Sequence, residues 1–174
     1  MKNLYLIGMM GSGKSSTGEA LASELTFPFV DLDEEIVRKL NMSINDIFAT
    51  RGEPYFRKVE KDELRLFAKN RGQVIATGGG AVLAPENVEL MKQTGLVIYL
   101  RTSLEVLWQR VQRKSDRPLL KTANPLDVFA RLFAERKAIY ESIHDYSVNT
   151  ERKTPGEVAH EIAELLKSKS HERN

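Results

Sequence analysis

Short apolar runs alternate along the chain with longer stretches in which apolar positions recur every three or four residues. The short runs, at 4–7, 28–32, 74–77 and 96–100, read as strands, with 146–148 a weaker fifth. The periodic stretches predict helices over 14–25, 33–40, 53–70, 85–93, 103–112, 125–143 and 155–167. In the last of these Val158, Ile162, Leu165 and Leu166 fall on one face. Its start is marked by Thr154 before Pro155, with Glu157 three residues after the threonine. Strands alternating with helices imply an α/β protein built on a parallel sheet. Neither an internal repeat nor a Gly/Ser-rich linker divides residues 1–174, so one domain is expected, with a fraying polar tail over 168–174.

Composition narrows the partners. With 41 % hydrophobic and 29 % charged residues, the chain can bury an ordinary core. Its 26 basic and 24 acidic residues leave a net charge of +2, too weak to argue for nucleic acid or a membrane surface. Any basic site must be local. The absence of cysteine excludes disulfides, thiol nucleophiles and thiolate-bound metals, and suits a reducing compartment. The apolar run Leu4-Tyr5-Leu6-Ile7 is too short for a signal sequence, and the run 96–100 is too short to span a bilayer. A cytoplasmic protein is expected.

The sharpest chemical signal is Gly8-Met9-Met10-Gly11-Ser12-Gly13-Lys14-Ser15, an unbroken G-x-x-x-x-G-K-[ST]. Glycines let the backbone curl so that successive N–H groups face a phosphate, and the following helix adds its positive end. Lys14 supplies a mobile cation for the β- and γ-oxygens, and the Ser15 hydroxyl suits Mg²⁺. An apolar strand before the loop and an amphipathic helix after it provide the context that the motif requires. A glycine-rich turn that binds nothing is the bland alternative.

A phosphate cradle serves many enzymes, so the second substrate has to be read elsewhere. In Phe29-Val30-Asp31-Leu32-Asp33, strand alternation would send Asp31 and Asp33 to the same side, at the end of a strand where parallel sheets hold ligands. For Asp33 a helix cap or first-turn charge is the competing role. Arg57 follows two aromatics and has Glu60 one turn on, which can pair with it and orient it; a solvated arginine is the alternative. Gly78-Gly79-Gly80 follows a predicted strand, and three glycines suit close approach of backbone to ligand more than a plain turn. Between Gln109 and Lys121 five basic residues face one acid, around Arg117-Pro118-Leu119-Leu120. That run reads as a solvated face or as a mobile lid carrying an arginine to the transferring phosphate. Arg136, in Glu135-Arg136-Lys137-Ala138-Ile139-Tyr140, faces either inward or solvent.

In order and spacing these segments resemble the shikimate kinase family across nearly the whole chain. The resemblance implies a three-layer P-loop fold, with a five-stranded parallel sheet flanked by helices. It implies a single domain with a substrate-binding segment at about 32–60 and a lid at about 112–124. The implied reaction is ATP-dependent phosphorylation of the shikimate 3-hydroxyl, giving shikimate 3-phosphate and ADP, on the route to chorismate and the aromatic amino acids. Carried over, Lys14, Asp33 and Arg117 would be catalytic. Gly11, Ser12, Gly13, Lys14, Ser15, Ser16, Arg110, Arg117 and Arg152 would hold ATP, with Arg110 and the segment from Arg152 to Pro155 against adenine. Asp33, Arg57, Gly79, Gly80 and Arg136 would bind shikimate, the two arginines taking its carboxylate as planar forks. Ser15 would ligate Mg²⁺ directly and Asp31 through water. A monomer with no nucleic acid or membrane partner is expected.

The chain departs from the family's usual pattern at Asn41, where glycine is common, and at Val37, where glutamate is common. Asparagine can also end a helix in the left-handed conformation. The alternatives are a gluconate or nucleotide kinase of the same fold, and a nucleotide-binding module without catalysis.

Overall fold

The structure, a computed structural model, describes residues 2–113 and 121–171. Among the described residues five strands form one parallel sheet: β1 (Asn3–Ile7), β2 (Phe29–Asp31), β3 (Val74–Ala76), β4 (Gly95–Arg101) and β5 (Tyr146–Asn149), in the order β2-β3-β1-β4-β5. Leu6 of β1 stands opposite Ala76 on one side and Ile98 on the other. The helices are α1 (Lys14–Leu25), α2 (Leu32–Leu40), α3 (Ile44–Ala68), α4 (Pro85–Thr94), α5 (Leu104–Val111), α6 (Pro125–Ile143) and α7 (Pro155–His171). Parallel strands need crossovers, and these helices supply them on both faces.

Alternation along the strands divides the core. Tyr5, Ile7, Ile75, Val97 and Tyr99 pack on one face with Met91, Leu107, Phe129 and Tyr140. Leu4, Leu6, Val74, Ile98 and Leu100 pack on the other against Leu21, Val158 and Ile162 of α1 and α7. A third cluster of Ile36, Ile47, Phe56 and Val59 binds α2 to α3.

Two helices match the sequence reading to the residue, 14–25 and 125–143, and the others lie within a few residues of it except in two places. Residues 44–51 are helical and continuous with 53–68, bent at Gly52, whose φ of 80° is open to glycine. The signal was present: Ser43 caps Asp46 N–H, and Ile44, Ile47 and Phe48 share a face. The other place is the tail, where α7 runs on to His171 instead of fraying from 168. Asn41 ends α2 at φ 49°, as its residue type allows. Among the described residues no helix is long and apolar enough to cross a membrane.

Candidate active site

All parallel strands deliver their carboxyl ends to one edge, and the loops after β1, β2 and β3 meet there. Gly13 turns the first loop into α1 at φ 90°, a conformation that admits glycine readily. Lys14 leads α1, and its Nζ donates to the Gly8 and Met9 carbonyls at 2.9 and 3.1 Å, so the ammonium lies back over its own loop. The buried Ser12 Oγ has no hydrogen-bond partner among the described residues.

Asp31 closes β2 and does two things. Its Oδ1 accepts the Asp33 N–H at 3.0 Å and the Glu34 N–H at 3.3 Å, capping α2. Its Oδ2 accepts the Ser15 hydroxyl. Asp33 is therefore not a strand residue, and alternation does not explain its placement, which corrects the sequence reading. It lies in the first turn of α2, and the cap sets its direction. Both carboxylates still reach the same place.

A cavity of about 490 Å³ is lined by Gly11 to Thr17 with Asp31, Asp33, Gly79, Arg110, Thr150, Lys153 and Pro155. Gly11, Ser12, Gly13, Lys14, Ser15 and Ser16 thus come together as expected. Arg110 Nη1 donates to the Gly11 carbonyl at 3.1 Å and lies 3.5 Å from Thr150 Oγ1, tying α5 to the loop. Arg152 is exposed at φ 57° in the turn after β5; its neighbours Thr150 and Lys153, not Arg152, line the cavity. Arg117 lies outside the described residues.

A second cavity, of about 60 Å³, adjoins the first through Met10, Asp33 and Gly79. Arg57, Arg136, Glu60, Gly78 and Gly80 line it, with Ile44, Phe48 and Phe56 as its apolar wall. Arg57 is not a solvated arginine. Its Nη1 donates to Glu60 Oε2 at 2.9 Å, and Nη2 and Nε donate to Glu53 Oε1 at 3.1 and 3.3 Å. Burial pulls the Arg57 pKa down, but the Glu60 and Glu53 carboxylates outweigh it and raise it.

Arg136 is 2 % exposed on the inner face of α6, and its Nε is buried with no partner among the described residues. Glu60 Oε1 is likewise buried without a partner. Burial raises the Glu60 pKa; Arg57 offsets part of the rise and Asp33 adds to it. Arg136 and Glu60 both line the same small cavity.

The glycine run is a close-packed wall. A methyl group on Gly78 would meet Glu60 Oε1 at 2.3 Å and Asp33 Oδ1 at 3.1 Å, and one on Gly80 would meet Arg57 Nη2 at 2.3 Å. The flexible-turn alternative fails on these distances. Sequence reasoning missed Ile44 and Phe48, because it did not see helix 44–51, and treated Glu60 only as the partner of Arg57. For Arg136 a signal existed: Phe129, Arg136, Tyr140 and Ile143 are the buried positions of one helical stripe, so a cation stands where periodicity asks for an apolar group.

Oxygen donors fit a hard divalent ion here. Among the described residues no three His, Cys, Asp or Glu side chains are grouped to hold a metal unaided. The Ser15 hydroxyl and Asp31 carboxylate suit Mg²⁺, which takes few protein ligands and completes its shell with phosphate oxygens and water.

The family model described as shikimate kinase matches residues 10–167. The shikimate kinase of Sulfurihydrogenibium sp. (strain YO3AOP1) is 41 % identical over 167 residues, 96 % of this chain and 99 % of that one. The shikimate kinase of Thermodesulfovibrio yellowstonii is 43 % identical over 162 residues, 93 % of each chain. Among solved structures, shikimate kinase from Acinetobacter baumannii in complex with shikimate is similar at a TM-score of 0.94 and 37 % identity, covering 97 % of this chain and 94 % of that one.

Proposed function

The chain belongs to the shikimate kinase family, and on that premise we propose that it phosphorylates the 3-hydroxyl of shikimate with ATP, releasing shikimate 3-phosphate and ADP. The observation that carries the reading is the meeting of two cavities at Asp33 and Gly79, one walled by the phosphate loop and the other by two arginines. A nucleotide tail and a carboxylic acid are both anions, and each finds its own set of cations within reach of the other.

In the reaction the bond from the γ-phosphorus to the β-bridging oxygen breaks, one to the acceptor oxygen forms, and the hydroxyl proton is released to solvent, so that ATP and alcohol give ADP, phosphate ester and a proton. Phosphoryl transfer asks mainly for positioning and charge neutralisation. Lys14 leaves the Gly8 and Met9 carbonyls for the β- and γ-oxygens. Arg57 and Arg136 take the acceptor carboxylate, and their buried site makes each charge-assisted bond stronger than it would be in water. Asp33 orients the reacting hydroxyl at the junction of the cavities. Glu60 fixes Arg57 with one oxygen and offers the other to the acceptor. Gly79 and Gly80 bring backbone against the ring. Ser15 and Asp31, the latter through water, would hold Mg²⁺, which when bound neutralises charge on the nucleotide phosphates.

Arg110 and the turn containing Arg152 bear on the adenine side. Segment 32–60 acts as the acceptor-binding unit and 112–124 as the lid, from which Arg117 reaches the transferring phosphate. A cytoplasmic monomer completes the reading.

Two arginines and carboxylates in so small an acceptor cavity suit a hydroxylated carboxylic acid better than a nucleoside monophosphate, which needs room for a base. The test is ADP release by purified protein with Mg-ATP and each candidate acceptor. Turnover that depends on shikimate is expected. Turnover with gluconate or nucleoside monophosphates but not shikimate overturns the assignment.

A further inference from the structure

One buried hydroxyl touches the acceptor wall without lining it. Tyr140 lies one turn beyond Arg136 on α6, is fully buried, and its hydroxyl donates to the Gly79 carbonyl. Nothing about a helix interior requires a tyrosine there, and phenylalanine would fill the same volume. The ring is buried and stacked on a neighbour. It stacks on Tyr99 with centroids 5.2 Å apart, and its backbone carbonyl lies 2.9 Å from His144 Nδ1. A phenol so clamped presents its O–H in one direction.

The carbonyl it meets belongs to the peptide between Gly79 and Gly80. Among the described residues every peptide bond is trans, and a trans peptide is planar with its C=O and N–H on opposite sides. Fixing the Gly79 carbonyl toward Tyr140 therefore fixes the Gly80 N–H away from it. The turn is closed by the Ala81 N–H donating to the Gly78 carbonyl at 3.1 Å, a bond compatible with either orientation of the central Gly79–Gly80 peptide. Glycine has no side chain to bias that plane, so the Tyr140 hydroxyl supplies the anchor. Gly79 borders both cavities, whereas Gly80 lines the acceptor cavity and not the nucleotide cavity.

We propose that Tyr140 is a positioning residue for the acceptor: by holding the Gly79 carbonyl it sets the peptide plane that aims the Gly80 N–H at the bound substrate. The inference rests on the shikimate kinase reading, since the acceptor it positions is shikimate. Burial raises the Tyr140 pKa, and the neighbouring Arg136 offsets only part of this, so the phenol keeps its proton and remains a donor at neutral pH.

The test is Tyr140→Phe, which keeps the ring and its packing. Shikimate KM should rise on the order of tenfold, as expected when a buried carbonyl loses its donor and the plane is released. ATP KM should stay within about twofold, because the nucleotide loop is untouched. An unchanged shikimate KM, or equal rises in both KM values, overturns the proposal in favour of simple packing. A second measurement uses the unaltered protein. Amide hydrogen exchange at Gly80 should slow when shikimate is added, and no protection there overturns the peptide-plane argument. Failure of the underlying reading is separable, because unaltered protein would then show no shikimate-dependent ADP release at all.

Discussion

Replacing Gly80 with alanine should cripple acceptor binding while leaving nucleotide binding and the fold nearly intact. The added methyl would lie 2.3 Å from Nη2, 2.6 Å from Cζ and 2.7 Å from Nη1 of Arg57. Backbone strain contributes nothing, because Gly80 has φ −98° and ψ 0°, which alanine adopts. The guanidinium must then retreat by about 1 Å or more to reach ordinary contact. It is not free to swing: Glu60 holds Nη1 at 2.9 Å and Glu53 holds Nη2 at 3.1 Å. Glu60 is 1 % exposed, so Arg57 cannot abandon it without leaving a buried carboxylate unpaired. The fork toward the acceptor carboxylate is what gives way. Losing a charge-assisted hydrogen bond costs about 2 kcal/mol, which at 1.4 kcal/mol per decade is roughly a thirty-fold loss of shikimate affinity. Gly80 does not border the nucleotide cavity, so ATP KM should move by less than about twofold. The assay is coupled ADP release with shikimate and ATP titrated separately, alongside thermal unfolding to confirm the fold. A folded Gly80→Ala protein with unaltered shikimate KM would refute the role of Arg57 as a carboxylate anchor.

Two further outcomes are expected. On the proposed role of Arg117 toward charge that develops in the transition state, Arg117→Ala should lower kcat far more than it weakens ATP binding; weaker ATP binding with unchanged kcat would remove that role. Glu60→Gln tests the buried carboxylate. The native state holds a proton on Glu60 at pH values where the unfolded chain has released it, so its contribution to stability falls as pH rises from 4.5 through the raised pKa. In urea unfolding, wild type should therefore lose stability relative to Glu60→Gln as pH climbs through that window, and a difference that stays constant with pH would contradict the argument.

The residues alone determined whatever depends on near neighbours. The phosphate loop is legible because its chemistry is set by eight consecutive positions, and the layered fold is legible because strand and helix periods are local properties of the chain. Helix 44–51 was equally local, with Ser43 capping Asp46 N–H, and went unread only because its apolar face is short. Matters that tertiary structure alone decided are of another kind. An arginine on a helix is solvated or buried according to what packs against it, and for Arg57, Arg136 and Glu60 the packing partners come from elements far apart in the chain. Asp33 could be read as a strand carboxylate or a first-turn charge until the cap formed by Asp31 settled its direction. Three glycines could be slack until the side chains of Glu60, Asp33 and Arg57 filled the space beside them. Desolvation and close contact are properties of the assembled fold, and they bring charges scattered along the chain to the walls of two adjoining cavities.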